Sequence, residues 1–234
     1  MYSLKASRKC IWRWALTFKR GQDGSKPSDP YTRTLNKQTM QFEVSNLYHI
    51  YNRGNNKQPI FFNRENYLYF LKKVQKYLHP VCDILSWCLM PNHFHFLIHA
   101  NAHTIRQVKQ SPLQINTFTE GVRLLLSTYT QGINKQNDST GNLFQQKTKS
   151  KCITDGDNHY GYTAFQYIHQ NPLKAGLVKK LEDWEFSSFP DYAGLRIGNL
   201  CNKELAISLL ELKMETFLQD SYAELPDDLL QKIF

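Results

Sequence analysis

The sequence CDILSWCLMPNHFHFLIHA spans Cys82–Ala100 and contains the clearest structural pattern of the chain. It is rich in β-branched, aromatic and aliphatic residues, and the dipeptide Pro91-Asn92 interrupts it near the middle. Apolar runs of this kind form strands, and proline followed by asparagine is typical of a turn. The stretch therefore predicts a hairpin of two strands, Cys82–Met90 and His93–His99, joined by that dipeptide.

The second strand of this hairpin carries two kinds of side chain in alternation. Successive side chains of a strand point to opposite faces, so His93 and His95 share one face. Phe94, Phe96 and Ile98 share the other face, which we expect to be buried. Two imidazoles roughly 7 Å apart along a strand can bind one divalent cation if a third ligand comes from elsewhere. The same short pattern is compatible with one buried structural histidine beside one surface histidine.

Length and charge set the first limits on function. The chain has 234 residues, enough for one well-packed domain with extensions or for two small domains. Its formal net charge of +9 favours a polyanionic partner, but the charge is unevenly distributed. Residues 1–39 contribute +7, residues 40–194 contribute +5 and residues 195–234 contribute −3.

Cysteine usage and hydropathy indicate the compartment. The five cysteines are an odd number, and none forms a Cys-x-x-Cys pair, so no disulfide framework or zinc ribbon is predicted. A reducing, cytoplasmic environment is the simplest interpretation. No apolar run approaches the length of a membrane span, so we expect no membrane partner.

The remaining elements are predicted from residue periodicity and from helix and turn signals. They are a strand over Asn46–Asn52, a helix over Arg64–Leu78, a helix over Phe118–Lys135, a strand over Leu143–Ile153 and a helix over His159–Gln170. Asn63 is the expected N-cap of the first helix, and Thr117 with Glu120 forms a capping box before the second. Pro172 is expected to stop the third helix. The order β-α-β-β-α-β-α predicts an α+β protein, a ferredoxin/RRM-like sandwich with a central antiparallel sheet and its helices packed on one face.

Two segments together resemble a known family. The segment MPNHFHFLI resembles the His-hydrophobe-His motif of the HUH endonucleases, and more narrowly of the single-tyrosine transposases, including the REP-associated group. The segment FQYIHQNPLKAGLV, which starts at Phe165, is similar to that family's Tyr-Ile-x-x-Asn-Pro segment with its Ala-Gly-Leu-Val-like run. Further similar segments, in the family's order, are YHIYNRGNN, GNLFQ and WEFSSFPDYAG. One departure is Gln146-Lys147-Thr148, where the family often has arginine and tyrosine.

The resemblance covers roughly Met40–Gly194 and implies a catalytic domain over residues 40–194. Residues 1–39 are then a basic extension, which we expect to be disordered, and residues 195–234 a helical C-terminal tail. The implied function is a metal-dependent transposase or endonuclease that cuts and rejoins single-stranded DNA, including hairpin DNA. The oligomeric state is left open between a monomer and a homodimer.

The resemblance also implies roles for individual residues. Tyr167 is the expected nucleophile, which would give a 5′-phosphotyrosine and a free 3′-hydroxyl. His93 and His95 are the expected ligands of Mg²⁺ or Mn²⁺. Asn171 lies four residues after Tyr167, hence on the same helix face, and its amide oxygen is a candidate third ligand. Among the thirteen tyrosines, Tyr129 is the alternative nucleophile.

Basic residues near the expected site are candidates for phosphate contacts. These are Arg53, Lys147, Lys149 and Lys151. A solvated strand face explains the same residues equally well. Two other functions are compatible with the sequence, a non-catalytic nucleic-acid-binding module on a ferredoxin-like fold and, less favoured, a zinc hydrolase. The zinc hydrolase is disfavoured because no carboxylate or third histidine lies at a usual spacing.

Overall fold

The computed structural model describes residues 40–108, 115–153 and 158–233. The predicted basic extension, residues 1–39, lies outside the described residues. The strands are β1 Leu47–Arg53, β2 Asp83–Met90, β3 His93–His99 and β4 Lys149–Cys152. The helices are α1 Arg64–Tyr77, α2 Thr117–Gln136, α3 Asn158–Lys174, α4 Phe189–Tyr192, α5 Lys203–Leu209, α6 Phe217–Asp220 and α7 Asp227–Ile233. Short 3₁₀ turns lie at Asn55–Lys57 and Leu181–Asp183.

The four strands form one antiparallel sheet in the order β2-β3-β1-β4. The predicted hairpin is present, because β2 pairs with β3 and the turn at Pro91-Asn92 separates them. The strand β1 inserts between β3 and β4 and aligns Tyr51 with His95. This strand order, with a helix after β1 and another before β4, confirms the predicted α+β fold class of a ferredoxin-like sandwich.

One face of the sheet packs on α1 and α2. Phe94, Phe96 and Ile98 are at most 1% exposed, as the alternation in β3 predicts. The ring of Phe94 packs on Phe70 of α1, at 5.3 Å between centroids, and Phe70 contacts Tyr129 of α2. Burial of these large apolar side chains is the main stabilising contribution on this face.

The opposite face is also covered, contrary to the prediction that all helices lie on one face. The helix α3 packs mainly on β2 and β3, and its Phe165 and Ile168 share a second apolar core with Leu97. Leu97 lies on the same face of β3 as the histidines, so that face is partly apolar and needs a cover. The histidines therefore lie under a helix and not on an open surface.

The N-cap of α1 is confirmed, and the predicted capping box of α2 is wrong. Asn63 accepts a hydrogen bond from the backbone of the first turn of α1. In α2 the cap is Asn116, whose side chain accepts from the Thr119 amide at 2.8 Å. The Thr117 hydroxyl instead donates to the carbonyl of His103. Asparagine and threonine compete for the same capping position, and here the earlier residue occupies it.

Pro172 does not stop α3, which continues to Lys174. A proline inside a helix removes one backbone donor, and it disfavours helical geometry at the residue before it. Only part of the final turn follows this proline. The helical hydrogen-bond pattern continues there, because the Ala175 amide donates to the Asn171 carbonyl at 2.9 Å. Asn171 therefore stays in the helix, one turn after Tyr167.

The predicted strand over Leu143–Ile153 is present only as the shorter β4. Before it, Phe144 forms a single bridge with Gly54 at the end of β1. Residues after α4 contribute to the second apolar core, in which Ala206, Leu210 and Phe217 are buried together with Phe165 of α3. Within the described ranges, no helix is both long and apolar enough to cross a membrane.

Candidate active site

The side chains of chemical interest lie in adjacent rows on the α3 face of the sheet. The strand β3 contributes His93 and His95, and β1 contributes His49, Tyr51 and Arg53. The strand register places Arg53 opposite His93 and Tyr51 opposite His95. Directly opposite residues of an antiparallel pair share a face, so the two rows form one cluster.

His95 is the most enclosed member of this cluster. Its side chain is 4% exposed, and its Nδ1 lies 2.8 Å from Nε2 of His49, which is itself fully buried. The two rings are nearly parallel, with centroids 5.0 Å apart. The other nitrogen of His95, Nε2, is buried and has no hydrogen-bond partner among the described residues. A buried polar atom without a partner needs an explanation, and for an imidazole nitrogen a bound ligand is one.

His93 is oriented by the turn that precedes it. Its Nδ1 lies 2.6 Å from Oδ1 of Asn92. An amide oxygen can only accept, so Nδ1 of His93 is the donor and the lone pair is on Nε2. The ring of His93 stands perpendicular to that of His95, with centroids 5.0 Å apart.

Burial keeps both histidines neutral. It lowers the pKa of His93 to about 4, and the nearby charge of Arg53 acts in the same direction. It also lowers the pKa of His95 well below the ordinary value, with smaller contributions from the neighbouring histidines and Arg53. Neutral imidazoles offer a lone pair to a metal ion near pH 7.

Tyr167 of α3 packs against the histidine cluster. Its ring centroid lies 5.8 Å from that of His95 and 6.3 Å from that of His49. Burial raises the pKa of Tyr167 to about 12, and a hydrogen bond with the Asn171 side chain partly opposes this rise. The phenol is therefore protonated at neutral pH.

Asn171 lies beside Tyr167, as the spacing predicts. Its Nδ2 donates to the backbone carbonyl of Tyr167 at 2.8 Å. This bond uses the amide nitrogen and not Oδ1, the atom that would bind a cation. Its role as a third ligand stays a prediction.

Tyr129, the alternative nucleophile, lies on the opposite face of the sheet. Its side chain is fully buried, and its hydroxyl donates to the carbonyl of Ile60 at 2.6 Å. A nucleophile has to reach a substrate, and this hydroxyl is part of the core that packs under α1 and α2. The position of Tyr129 disfavours it as the nucleophile.

The cluster can be tested for its fit to a metal ion. Within the described residues, no group of three or more His, Cys, Asp or Glu side chains could hold one. Two imidazoles with their Nδ1 atoms engaged, His93 with Asn92 and His95 with His49, nevertheless match the usual arrangement of metal-binding histidines. The chemistry of these two side chains fits a divalent cation that takes two imidazole ligands and draws its other ligands from outside the pair.

Basic side chains lie next to the cluster. Lys149 and Lys151 of β4 are exposed and lie opposite Tyr51 and His49, hence on the same face as the histidines. Arg53 lies within the cluster, and its Nε is buried without a hydrogen-bond partner among the described atoms. These three predicted DNA contacts are therefore brought to one face. The fourth, Lys147, is exposed in the segment before β4.

Three further residues of the site are absent from the sequence predictions. His49 and Tyr51 were detectable, because with Arg53 they alternate along β1 and so share a face. The third is Lys174, whose Nζ lies 5.9 Å from the ring centroid of Tyr167. Burial lowers the pKa of Lys174. A lysine at the end of a helix has no sequence signal that distinguishes it from an ordinary C-terminal lysine.

Comparisons with known proteins show a likeness in the solved structures. No family profile and no curated protein matches the chain. A similar solved structure bears the description "Structure of the REP associates tyrosine transposase bound to a REP hairpin". The identity is 17% and the TM-score 0.48, over 70% of this chain and 92% of that chain.

Proposed function

We propose that this protein is a transposase-like nuclease that cuts and rejoins single-stranded DNA through a covalent link to Tyr167. The observation that carries the proposal is the packing of Tyr167 against His95, which has a buried nitrogen without a described partner. The sequence resemblance at both segments supports the same chemistry. A nucleic-acid-binding module would need neither a tyrosine at this position nor paired neutral imidazoles.

The chemistry conserves the energy of the phosphodiester bond. The Tyr167 oxygen attacks the scissile phosphorus in line, an O–P bond forms and the bond from phosphorus to the 3′ oxygen breaks. The phenolic proton passes to water, and the departing 3′ oxygen takes up a proton to become a hydroxyl. The 5′ phosphate stays on the tyrosine until a 3′-hydroxyl attacks it and reverses the step. Burial raises the pKa of Tyr167 to about 12, so the phenol has to lose its proton during the attack.

His93 and His95 would hold a divalent cation, Mg²⁺ or Mn²⁺, through their Nε2 atoms, and Asn171 is the proposed third ligand. When bound, such an ion polarises phosphate oxygens and stabilises the charge that develops on them. The imidazoles themselves contribute by remaining neutral and by being held in fixed orientations. Their neutrality is a consequence of burial, which lowers the pKa of both.

Phosphate contacts would come from the basic residues on the same face. Arg53 lies closest to the histidines, and Lys149 and Lys151 extend the positive charge along the edge strand β4. Contacts to phosphates position a strand without reading its sequence. A bound DNA strand would therefore approach the histidines from the β4 side of this face, past Arg53.

The proposal is tested by covalent trapping. Wild-type protein is incubated with single-stranded hairpin DNA and Mn²⁺, and the products are separated on a denaturing gel. We expect an adduct with the wild type and with the control Tyr129→Phe, and none with Tyr167→Phe, which should bind the DNA as before. An adduct with Tyr167→Phe would contradict the assignment. DNA binding without an adduct under any metal condition would indicate a non-catalytic binding module.

A further inference from the structure

His49 is a second buried histidine that contacts the expected ligand His95. It lies in the middle of β1, opposite Leu97 and so diagonal to His95 in the antiparallel register. Diagonal neighbours on one face are within reach of long or aromatic side chains. The 2.8 Å contact between the two rings is therefore built into the strand register and does not depend on a mobile loop.

This contact restricts which nitrogen of His95 carries the proton. Both rings are buried, so one of the two nitrogens in the contact donates and the other accepts. If His95 donates from Nδ1, its Nε2 carries a lone pair. If His49 donates instead, Nε2 of His95 carries a hydrogen that has no described acceptor.

The hydrogen bond made by His93 favours the arrangement in which His95 donates from Nδ1. Asn92 accepts from Nδ1 of His93, which leaves the lone pair of His93 on Nε2. Two separate parts of the fold, the turn before β3 and the strand β1, thus engage the same ring nitrogen of His93 and His95. A metal ion that binds both rings through Nε2 requires this shared arrangement, and hydrogen bonding of the opposite nitrogen is how proteins usually impose it.

We propose that His49 is a positioning residue that accepts a hydrogen bond from Nδ1 of His95 and so presents Nε2 of His95 to a divalent cation. The proposal rests on the proposed function for the identity of the ligand, a divalent cation shared with His93. The hydrogen-bond arrangement itself can be measured on the protein without DNA or metal. In this proposal His49 is not a ligand of the cation, and it acts on the cation through His95.

The first measurement is the protonation of the His95 ring in the full chain, by two-dimensional NMR of ¹⁵N-labelled histidine. His95→Gln identifies the signal. In the wild type we expect a protonated Nδ1 and an unprotonated Nε2 at neutral pH. A protonated Nε2 in the wild type would overturn the proposal, whatever the behaviour of any variant.

The second measurement is the affinity for Mn²⁺ without DNA, followed by the electron paramagnetic resonance of the free ion. His49→Phe keeps a ring and removes the acceptor, and we expect it to bind Mn²⁺ about 10- to 100-fold more weakly. His49→Gln places an amide near the position of Nε2 and should restore affinity to within about threefold of the wild type. His169→Phe is the matched control, because His169 is buried and hydrogen-bonded to Ser188 but lies outside the cluster. It should leave Mn²⁺ affinity unchanged.

Equal Mn²⁺ affinity of His49→Phe and the wild type, with both folded, would overturn the proposal. So would a failure of His49→Gln to restore affinity while the protein stays folded. If the wild type forms no DNA adduct, the proposed function fails, but the NMR result on His95 still decides the role of His49. Thermal melting followed by circular dichroism identifies any variant that has lost its fold.

Discussion

Acid should destabilise this protein through its buried histidines. Burial lowers the pKa of His93 to about 4 and that of His169 to about 3, against an ordinary value near 6.5. Between those values the unfolded chain takes up protons that the folded chain does not. The free energy of unfolding therefore rises with pH across this window and falls as the solution is acidified.

The size of the effect follows from the same values. At pH 5, protonation of a histidine with pKa 6.5 stabilises the unfolded chain by about 2 kcal/mol, and the folded protein gains almost nothing. His93 and His169 together should cost about 4 kcal/mol between pH 7 and pH 5, and His95 adds a loss of the same sign. Most domains have a total stability of only about 5–15 kcal/mol. The loss is thus a large part of the whole.

Urea unfolding at pH 7 and pH 5 measures this loss, and a single substitution apportions it. His169→Gln removes one buried imidazole, so the difference between the two pH values should shrink by about 2 kcal/mol. The exposed His79 provides the control, since His79→Gln should lose as much stability on acidification as the wild type. If His169→Gln loses as much as the wild type, His169 takes up its proton in the folded protein and the reasoning from burial is wrong.

Three further predictions concern the DNA and the metal. His93→Ala and His95→Ala should each abolish metal-dependent cleavage in the gel assay, because either change leaves only one imidazole ligand. Wild-type cleavage that persists in EDTA would contradict a role for the metal. The double variant with Lys149→Glu and Lys151→Glu should make the fall of log affinity with log salt less steep, by at least about 1.4 for single-stranded DNA. Its cleavage sites should be unchanged. An unchanged slope would mean that β4 does not contact phosphates. A chain that begins at Met40 should fold and cut the same hairpin, while its net charge falls from +9 to +2 and its non-specific binding weakens. Cleavage at other sites would show that residues 1–39 take part in recognition.

The hairpin and its buried face were predictable because strand alternation is a local property. Phe94, Phe96 and Ile98 alternate with polar residues, and their burial follows directly. The expected pairing of Tyr167 with His93 and His95 required the resemblance, since the tyrosine lies more than seventy residues further along the chain. Composition and periodicity alone do not select one tyrosine among thirteen.

The shared face of His49, Tyr51 and Arg53 follows from alternation along β1, but its position beside the histidines of β3 was not predictable from any one segment. His49 matters because the register places it diagonal to His95, and a register between distant strands is set by the whole sheet. The helix cover over the histidine face was missed for a similar reason. Leu97 is one apolar residue between histidines, and only its packing with Phe165 and Ile168 shows that the face is buried.

Local rules failed where two of them competed. Asn116 and Thr117 are both good N-caps, and sequence does not say which will be used. A proline usually ends a helix. Pro172 instead lies inside the last turn of α3 and is buried, so packing overrides the local preference. As a result, Asn171 remains on the same helix as Tyr167, which its proposed role as a third ligand requires.

The most direct measurement is identification of the residue that carries the DNA. The covalent adduct is formed with Mn²⁺ and hairpin DNA, trimmed with nuclease, digested with trypsin and sequenced by tandem mass spectrometry. We predict a nucleotide attached through its 5′ phosphate to Tyr167. Attachment to the neighbouring Tyr51 or to any other residue, or attachment through a 3′ phosphate, would contradict the proposed chemistry.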